Sequence, residues 1–226
     1  MFTFPLLLTI YAGFTHAFEA DHLLAVSNIV SRRNNLKMSL RDGIYWGLGH
    51  ASTIFIIGLL IIVFKAGISE QSFHYFEAAV GMMLIALAIY RLIKFFRSKK
   101  IVIHAHPHEY EGEQHKHLHV HIGDKQKHNH PHALAYGVGL VHGLAGSGAL
   151  VVIVMSQIEG PVDGLIYLLI FGIGCIVGMM LASGLFSIPF SKKIMNAQAL
   201  QAFLIIISSL LCLFYGSKVI YENLLT

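Results

Sequence analysis

Four side chains able to hold a metal ion fall within seven residues of one another: His16, Glu19, Asp21 and His22, in His16-Ala17-Phe18-Glu19-Ala20-Asp21-His22. They interrupt an apolar stretch that runs from Pro5 to Tyr11 and resumes from Leu23 to Val26. A charged side chain at the centre of a bilayer helix costs about 2.5–3.5 kcal/mol on insertion scales, so ionisable groups at that depth mark a functional site. Imidazole nitrogens suit nickel, cobalt, zinc and copper, and carboxylates neutralise the charge of the ion. The expected chemistry is reversible binding of a divalent transition metal. On a straight helix His16, Glu19 and His22 form one stripe and Asp21 points elsewhere. For Asp21 to join them, the helix must bend or unwind near Ala20, which is tolerated at membrane depth where backbone lines a cavity.

Two further histidines stand in apolar runs: His50 in Gly47-Leu48-Gly49-His50-Ala51-Ser52-Thr53, and His142, followed by Gly143-Leu144-Ala145-Gly146-Ser147-Gly148. A lone buried histidine is often satisfied by a carbonyl or hydroxyl, so each has a packing reading beside the ligand reading. The glycines after His142 disfavour a regular helix interior and predict either close backbone approach or a break.

These residues need a scaffold. Of 226 residues 55% are hydrophobic and only 12% charged, about half the 25% charge of soluble domains, and mean hydropathy is +0.66. The pattern predicts an all-α integral membrane protein with six transmembrane helices. Their edges are Phe4–Val30, Gly43–Lys65, Phe73–Phe96, Ala133–Gln157, Asp163–Ile188 and Ala199–Glu222. Met1-Phe2-Thr3 lacks the basic start of a cleavable signal peptide, so the first span is expected to be retained. Cationic residues concentrate in alternate loops: Arg32, Arg33, Lys37 and Arg41, then Lys94 to Lys127, then Lys192 and Lys193. The positive-inside rule places those loops in the cytoplasm and both termini outside, in a cell membrane. The net charge of +4 is accounted for by these loops, without a nucleic-acid partner. Cys175 and Cys212 lie in apolar runs and do not indicate a disulfide framework.

Sliding the halves by about 126 residues brings Gly13-Phe14-Thr15-His16-Ala17 onto Gly139-Leu140-Val141-His142-Gly143. A near-identical shift puts His50 opposite Cys175, and the third and sixth spans show no clear match. An odd number of spans per copy inverts the second one, giving a 3+3 inverted repeat with its site where the copies meet. The chain thus divides into a first three-helix repeat (1–97), a His-rich cytoplasmic loop (98–132) and a second three-helix repeat (133–226). Ten of the fifteen histidines lie between His104 and His132, and with Pro, Lys, Glu and Gln among them this tract is expected to lack a packed core and to be irregular and disordered. It would serve as a metal reservoir, sensor or trap. The Gly174, Gly178 and Ala182 row reads as helix packing.

The first motif resembles the His-x4-Asp-His signature of the nickel/cobalt transporter family, including the acid three residues after the first histidine. Leu48-Gly49-His50-Ala51-Ser52-Thr53-Ile54 is similar to that family's Gly-His-Ser-Thr stretch with an inserted alanine, and the segment from Gly139 to Gly148 resembles the short branch grouped with urease-accessory nickel permeases. Thr15 stands where the family usually has arginine. The resemblance implies that His16, Asp21 and His22 bind substrate, with Glu19 and His50 in support, and no resident cofactor. The long His-rich loop resembles that of nickel/cobalt exporters.

The function expected is a secondary permease for Ni²⁺ or Co²⁺, with Zn²⁺ a further substrate, in a lipid bilayer. A homo-oligomer or a cytosolic metallochaperone remain open as partners. Two charges crossing an inside-negative 100 mV gain about 4.6 kcal/mol, which favours uptake over efflux. The rivals are a membrane di-iron oxidase or desaturase-like enzyme, whose histidine boxes would need to cluster at one membrane face, and a metal-binding membrane subunit that transports nothing itself.

Overall fold

A computed structural model describes residues 3–31, 35–64, 69–98, 102–110, 113–121, 132–157, 160–190 and 198–225. In chain order they form α1 (Thr3–His16), α2 (Ala20–Val30), α3 (Leu36–Phe64), α4 (Glu70–Ser98), β1 (Val102–Tyr110), β2 (Glu113–His121), α5 (His132–Gln157), α6 (Pro161–Ser187), a 3₁₀ turn (Ile188–Phe190) and α7 (Gln198–Leu224). Among the described residues four helices are long and apolar enough to cross a membrane, over Leu36–Val63, Gln71–Arg97, Pro161–Phe190 and Leu200–Leu224, with Leu6–His16 a shorter apolar helix. Arg32, Arg33, Lys99, Lys100, Lys125, Lys127, Lys192 and Lys193, used above for orientation, lie outside the described residues, as do His128 and His130.

The first apolar stretch is two helices, not one. Phe18 N–H donates to Thr15 O at 2.9 Å and Glu19 N–H to His16 O at 3.1 Å, tightening the last turn of α1. Glu19 then takes extended backbone (φ −64, ψ 157) as the residue that starts α2. Thr15 Oγ1 donates back to the carbonyls of Tyr11 and Ala12, each at 3.0 Å, a side-chain bond that competes with the helix ladder. Asp21 then falls in the first turn of α2, where the helix dipole favours a carboxylate.

α3 packs between α5 and α6, α1 lies on α6, and α4 pairs with α7. Glycine permits the closest approaches. A Cβ at Gly13 would strike the Phe171 carbonyl and crowd the Cys175 amide, and one at Gly139 would strike the Trp46 carbonyl and crowd the His50 amide. Gly49 meets Tyr136 O and Leu140 N, and Gly174 meets Ile10 O and Phe14 N. Between α4 and α7, Gly81 and Gly216 each face the other's carbonyl. Small residues let helices pack by backbone contact where lipid offers no hydrophobic drive. Polar contacts add to this: Thr53 Oγ1 donates to Leu140 O at 2.9 Å, and Ser209 Oγ to Asn28 Oδ1 at 3.0 Å.

Two segments bear on the sequence reading. α5 runs unbroken from His132 to Gln157, so Gly143 serves close approach, against His50 O and Thr53, and not a helix break. Within the tract expected to be irregular, β1 and β2 form an antiparallel hairpin pairing His104 with His119, His106 with His117 and His108 with His115. Histidines alternate there with Ile103, Ala105, Leu118 and Val120, and this period-2 pattern favours strands despite the polar composition.

Candidate metal centre

The turn at Ala17–Glu19 puts the end of α1 and the start of α2 at one place. His16 Nδ1 lies 2.9 Å from Glu19 Oε1, and His22 Nδ1 lies 3.0 Å from Asp21 Oδ1. The same Asp21 oxygen accepts the His22 backbone N–H at 2.8 Å, which fixes the carboxylate and satisfies one of the free donors of the first helical turn. Asp21 Oδ2 stands 3.4 Å from His142 Nε2 on α5.

His50 enters from α3 and His142 from α5. Ring centroids are separated by 4.7 Å for His16–His22, 5.2 Å for His16–His50, 5.1 Å for His22–His50 and 4.4 Å for His22–His142. Ligand atoms of His16, His22 and His50 all lie within 4.8 Å of one another, and so do those of Asp21, His22 and His142. The two groups share His22.

His22, His50 and His142 are almost wholly buried. Nε2 of His16 and His22, both ring nitrogens of His50 and Nδ1 of His142 have no hydrogen-bond partner among the described residues, while Nε2 of His142 meets the Asp21 carboxylate at 3.4 Å. A buried polar atom left unpaired costs about 1–3 kcal/mol, so this cluster is an expensive one to assemble for packing alone. Nitrogens left bare in this way could accept a Lewis acid. Where a carboxylate holds Nδ1–H, as at His16 and His22, the Nε2 lone pair is presented outward, the usual arrangement around a ligating histidine.

A cavity of about 750 Å³ reaches the cluster, lined by His16, Glu19, Asp21 and His22 together with Glu77 of α4 and Tyr215 of α7. Aromatic rings flank the histidines. The Phe171 ring lies 5.6 Å from His16, and the Trp46 ring lies 5.6 Å from His22 and 5.7 Å from His142.

The structure therefore brings together His16, Asp21, His22, His50 and His142. Glu19 is set apart: its side chain is 58% exposed, and it belongs to neither group of mutually close donors, touching the centre through His16. Cys175, opposite His50 in the sequence comparison, is buried on α6 and also outside both groups. Trp46, Phe171, Glu77 and Tyr215 were not singled out from sequence. Only Trp46 carried a usable signal, standing about one helical turn before His50.

The family described as high-affinity nickel-transport protein (NicO) matches residues 2–213. A urease accessory protein, UreH, from Bacillus sp. (strain TB-90) is 34% identical over 192 residues, covering 85% of this chain and 80% of that protein. A high-affinity nickel transport protein from Cupriavidus necator is 28% identical over 81 residues, 34% of this chain and 23% of that one. No solved structure matches the chain significantly.

Proposed function

This chain belongs to the NicO family of high-affinity nickel-transport proteins, and from that premise we propose that His16, Asp21, His22, His50 and His142 bind the travelling dication inside the bilayer. The protein is a membrane transporter and not an enzyme, which removes the di-iron oxidase reading. One observation carries the proposal: ligand atoms from α1, α2, α3 and α5 converge within 4.8 Å in two groups, with their free nitrogens unpaired. Imidazole with one carboxylate is a borderline donor set suited to Ni²⁺ and Co²⁺, and the family description and the name of the Cupriavidus necator relative favour nickel.

The shared His22 suggests how the ion moves. An ion arriving through the cavity exchanges water first for His16, His22 and His50. Keeping His22, it passes to Asp21 and His142, so at no point does it shed all its protein ligands. Asp21 supplies the negative charge that a dication at this depth requires.

The glycine contacts support a 3+3 inverted repeat of six spans, α1 and α2 together making the first. Gly13 on Phe171 and Cys175 matches Gly139 on Trp46 and His50, and Gly49 on Tyr136 matches Gly174 on Ile10. The reciprocal Gly81–Gly216 contact is what such a repeat would place between the third and sixth spans, where the sequence comparison found no match. In such folds the copies rock about a site at their junction. Loop charge favours a cell-membrane orientation with both termini outside and the His-rich segment cytoplasmic. An inside-negative potential then drives uptake without further coupling.

The test is Ni²⁺ and Co²⁺ flux into proteoliposomes containing only this chain, wild type against His22→Ala. Flux by the wild type and none by the variant is expected. Unchanged flux in His22→Ala would reject the site, and no flux by the wild type would leave a metal-binding subunit that moves nothing by itself.

A further inference from the structure

We propose that Asp42 and His132 form a second station for the transported dication, divided from the histidine centre by Trp46. This rests on the transport reading above and adds a site to it. His132 Nδ1 lies 2.9 Å from Asp42 Oδ1, with the Asp42 side chain fully buried and that of His132 18% exposed. The pairing repeats His16 with Glu19 and His22 with Asp21. In each, a carboxylate holds Nδ1 and so selects the tautomer whose Nε2 lone pair is free for a metal ion. The Tyr45 ring stacks on His132 with centroids 5.0 Å apart and planes 14° from parallel, which fixes the direction in which Nε2 points.

Position gives the pair its role. Asp42, Trp46 and His50 are successive i, i+4 positions and share one face of α3. His132 and His142 lie on α5, the helix packed along α3. At 1.5 Å per residue Asp42 is about 12 Å from His50 along α3, and His132 about 15 Å from His142 along α5. Between the two levels stands Trp46, only 1% exposed, its ring against His22 and His142. Glu77 and Tyr215, which line the open cavity, sit in the first third of α4 and the second half of α7. The cavity therefore approaches the histidine centre from the side remote from Asp42. An ion that arrives through the cavity and continues across must pass Trp46, and the next carboxylate-held imidazole along the α3–α5 seam is His132. One imidazole with a neighbouring negative charge and water is a weaker ligand set than the centre, suited to a borderline dication on its way to solution.

Ni²⁺ is the probe for the test, with the full-length protein in two assays. Trp46 is the chain's single tryptophan, so Ni²⁺ quenching of intrinsic fluorescence in detergent reports occupancy of the adjacent centre. Flux in proteoliposomes reports passage. In His132→Ala and Asp42→Asn the quenching midpoint should stay at the wild-type value while maximal flux falls about tenfold at unchanged half-saturating Ni²⁺. His132→Cys, which restores a metal-binding atom, should recover flux to within about threefold of wild type. Flux in His132→Ala within about twofold of wild type would overturn the station. So would equal losses in His132→Ala and His132→Cys, which would make the pair a tether between α3 and α5. Loss of quenching in all three variants would show instead that the pair builds the centre. A wild type that moves no Ni²⁺ would remove the transport reading itself, and the station with it.

Discussion

His22 and His142 stack face to face, ring centroids 4.4 Å apart and planes inclined by 16°, with Asp21 reaching both. Two cations at that separation repel by about 4 kcal/mol even at an effective dielectric of 20. The stack is therefore compatible with neutral rings or with a metal ion that takes the place of protons. Imidazole must be unprotonated to bind a metal, so acid works against the site. Acidifying the medium should therefore raise, and never lower, the Ni²⁺ concentration needed for half-maximal flux. Equilibrium Ni²⁺ binding as a function of pH checks it, and affinity that improves in acid would contradict the assignment.

Asp21 is the one carboxylate inside the donor groups. Asp21→Asn keeps the size and one oxygen acceptor but removes the charge and turns the other of the two oxygens facing His22 and His142 into an N–H donor. Ni²⁺ affinity should fall about 10–100-fold, the usual loss when a partner of ligating histidines is removed. Glu19→Gln, at an exposed position, should weaken binding far less. Isothermal titration of both variants separates the two acids.

His50 buries two ring nitrogens that have no hydrogen-bond partner among the described residues, each costing about 1–3 kcal/mol. Replacing it by Leu, of similar volume, should leave the metal-free protein as stable as wild type or more so. It should also remove stabilisation by Ni²⁺, which for the wild type is about 2.7 kcal/mol at a hundredfold excess over Kd. Thermal unfolding in detergent with and without Ni²⁺ reads both effects. A large loss of stability in metal-free His50→Leu would mean that the imidazole is there for packing.

Gly139 and Gly137 are two residues apart on α5 and differ in surroundings. A Cβ at Gly139 would strike the Trp46 carbonyl, whereas one at Gly137 meets nothing within 4 Å. Gly139→Ala should force α3 and α5 apart at a cost of about 1–3 kcal/mol or more and separate His50 from His142. Gly137→Ala should be neutral or stabilising by up to about 1 kcal/mol. The yield of folded protein and Ni²⁺ binding for the two variants check this.

Much of the centre was legible in the chain. His16, Asp21 and His22 could be picked out because ionisable residues are rare in apolar runs, and the helical angles alone required a bend for Asp21 to join, which the turn at Ala17–Glu19 provides. Glu19 was harder to place. On a straight helix it belongs with the histidines, but the same turn leaves it on the cavity wall, outside both donor groups and touching the centre through His16. Asp42 carries no signal of its own in the sequence, and His132 reads as the last member of a His-rich tract. Their meeting across α3 and α5 leaves no local trace in either segment.

The sequence by itself determined that this is a helical membrane protein and which donors it carries to membrane depth. Both follow from transfer free energies summed along one segment at a time, and these depend on composition and period alone. Tertiary structure alone decided that His50 and His142 reach His22. That meeting depends on how closely α3 and α5 approach each other, a distance set by Gly49, Gly139 and Gly143 against backbone on the facing helix. A glycine in a helix shows in the chain as a weak helix former. Which carbonyl it admits is known only once the helices are packed.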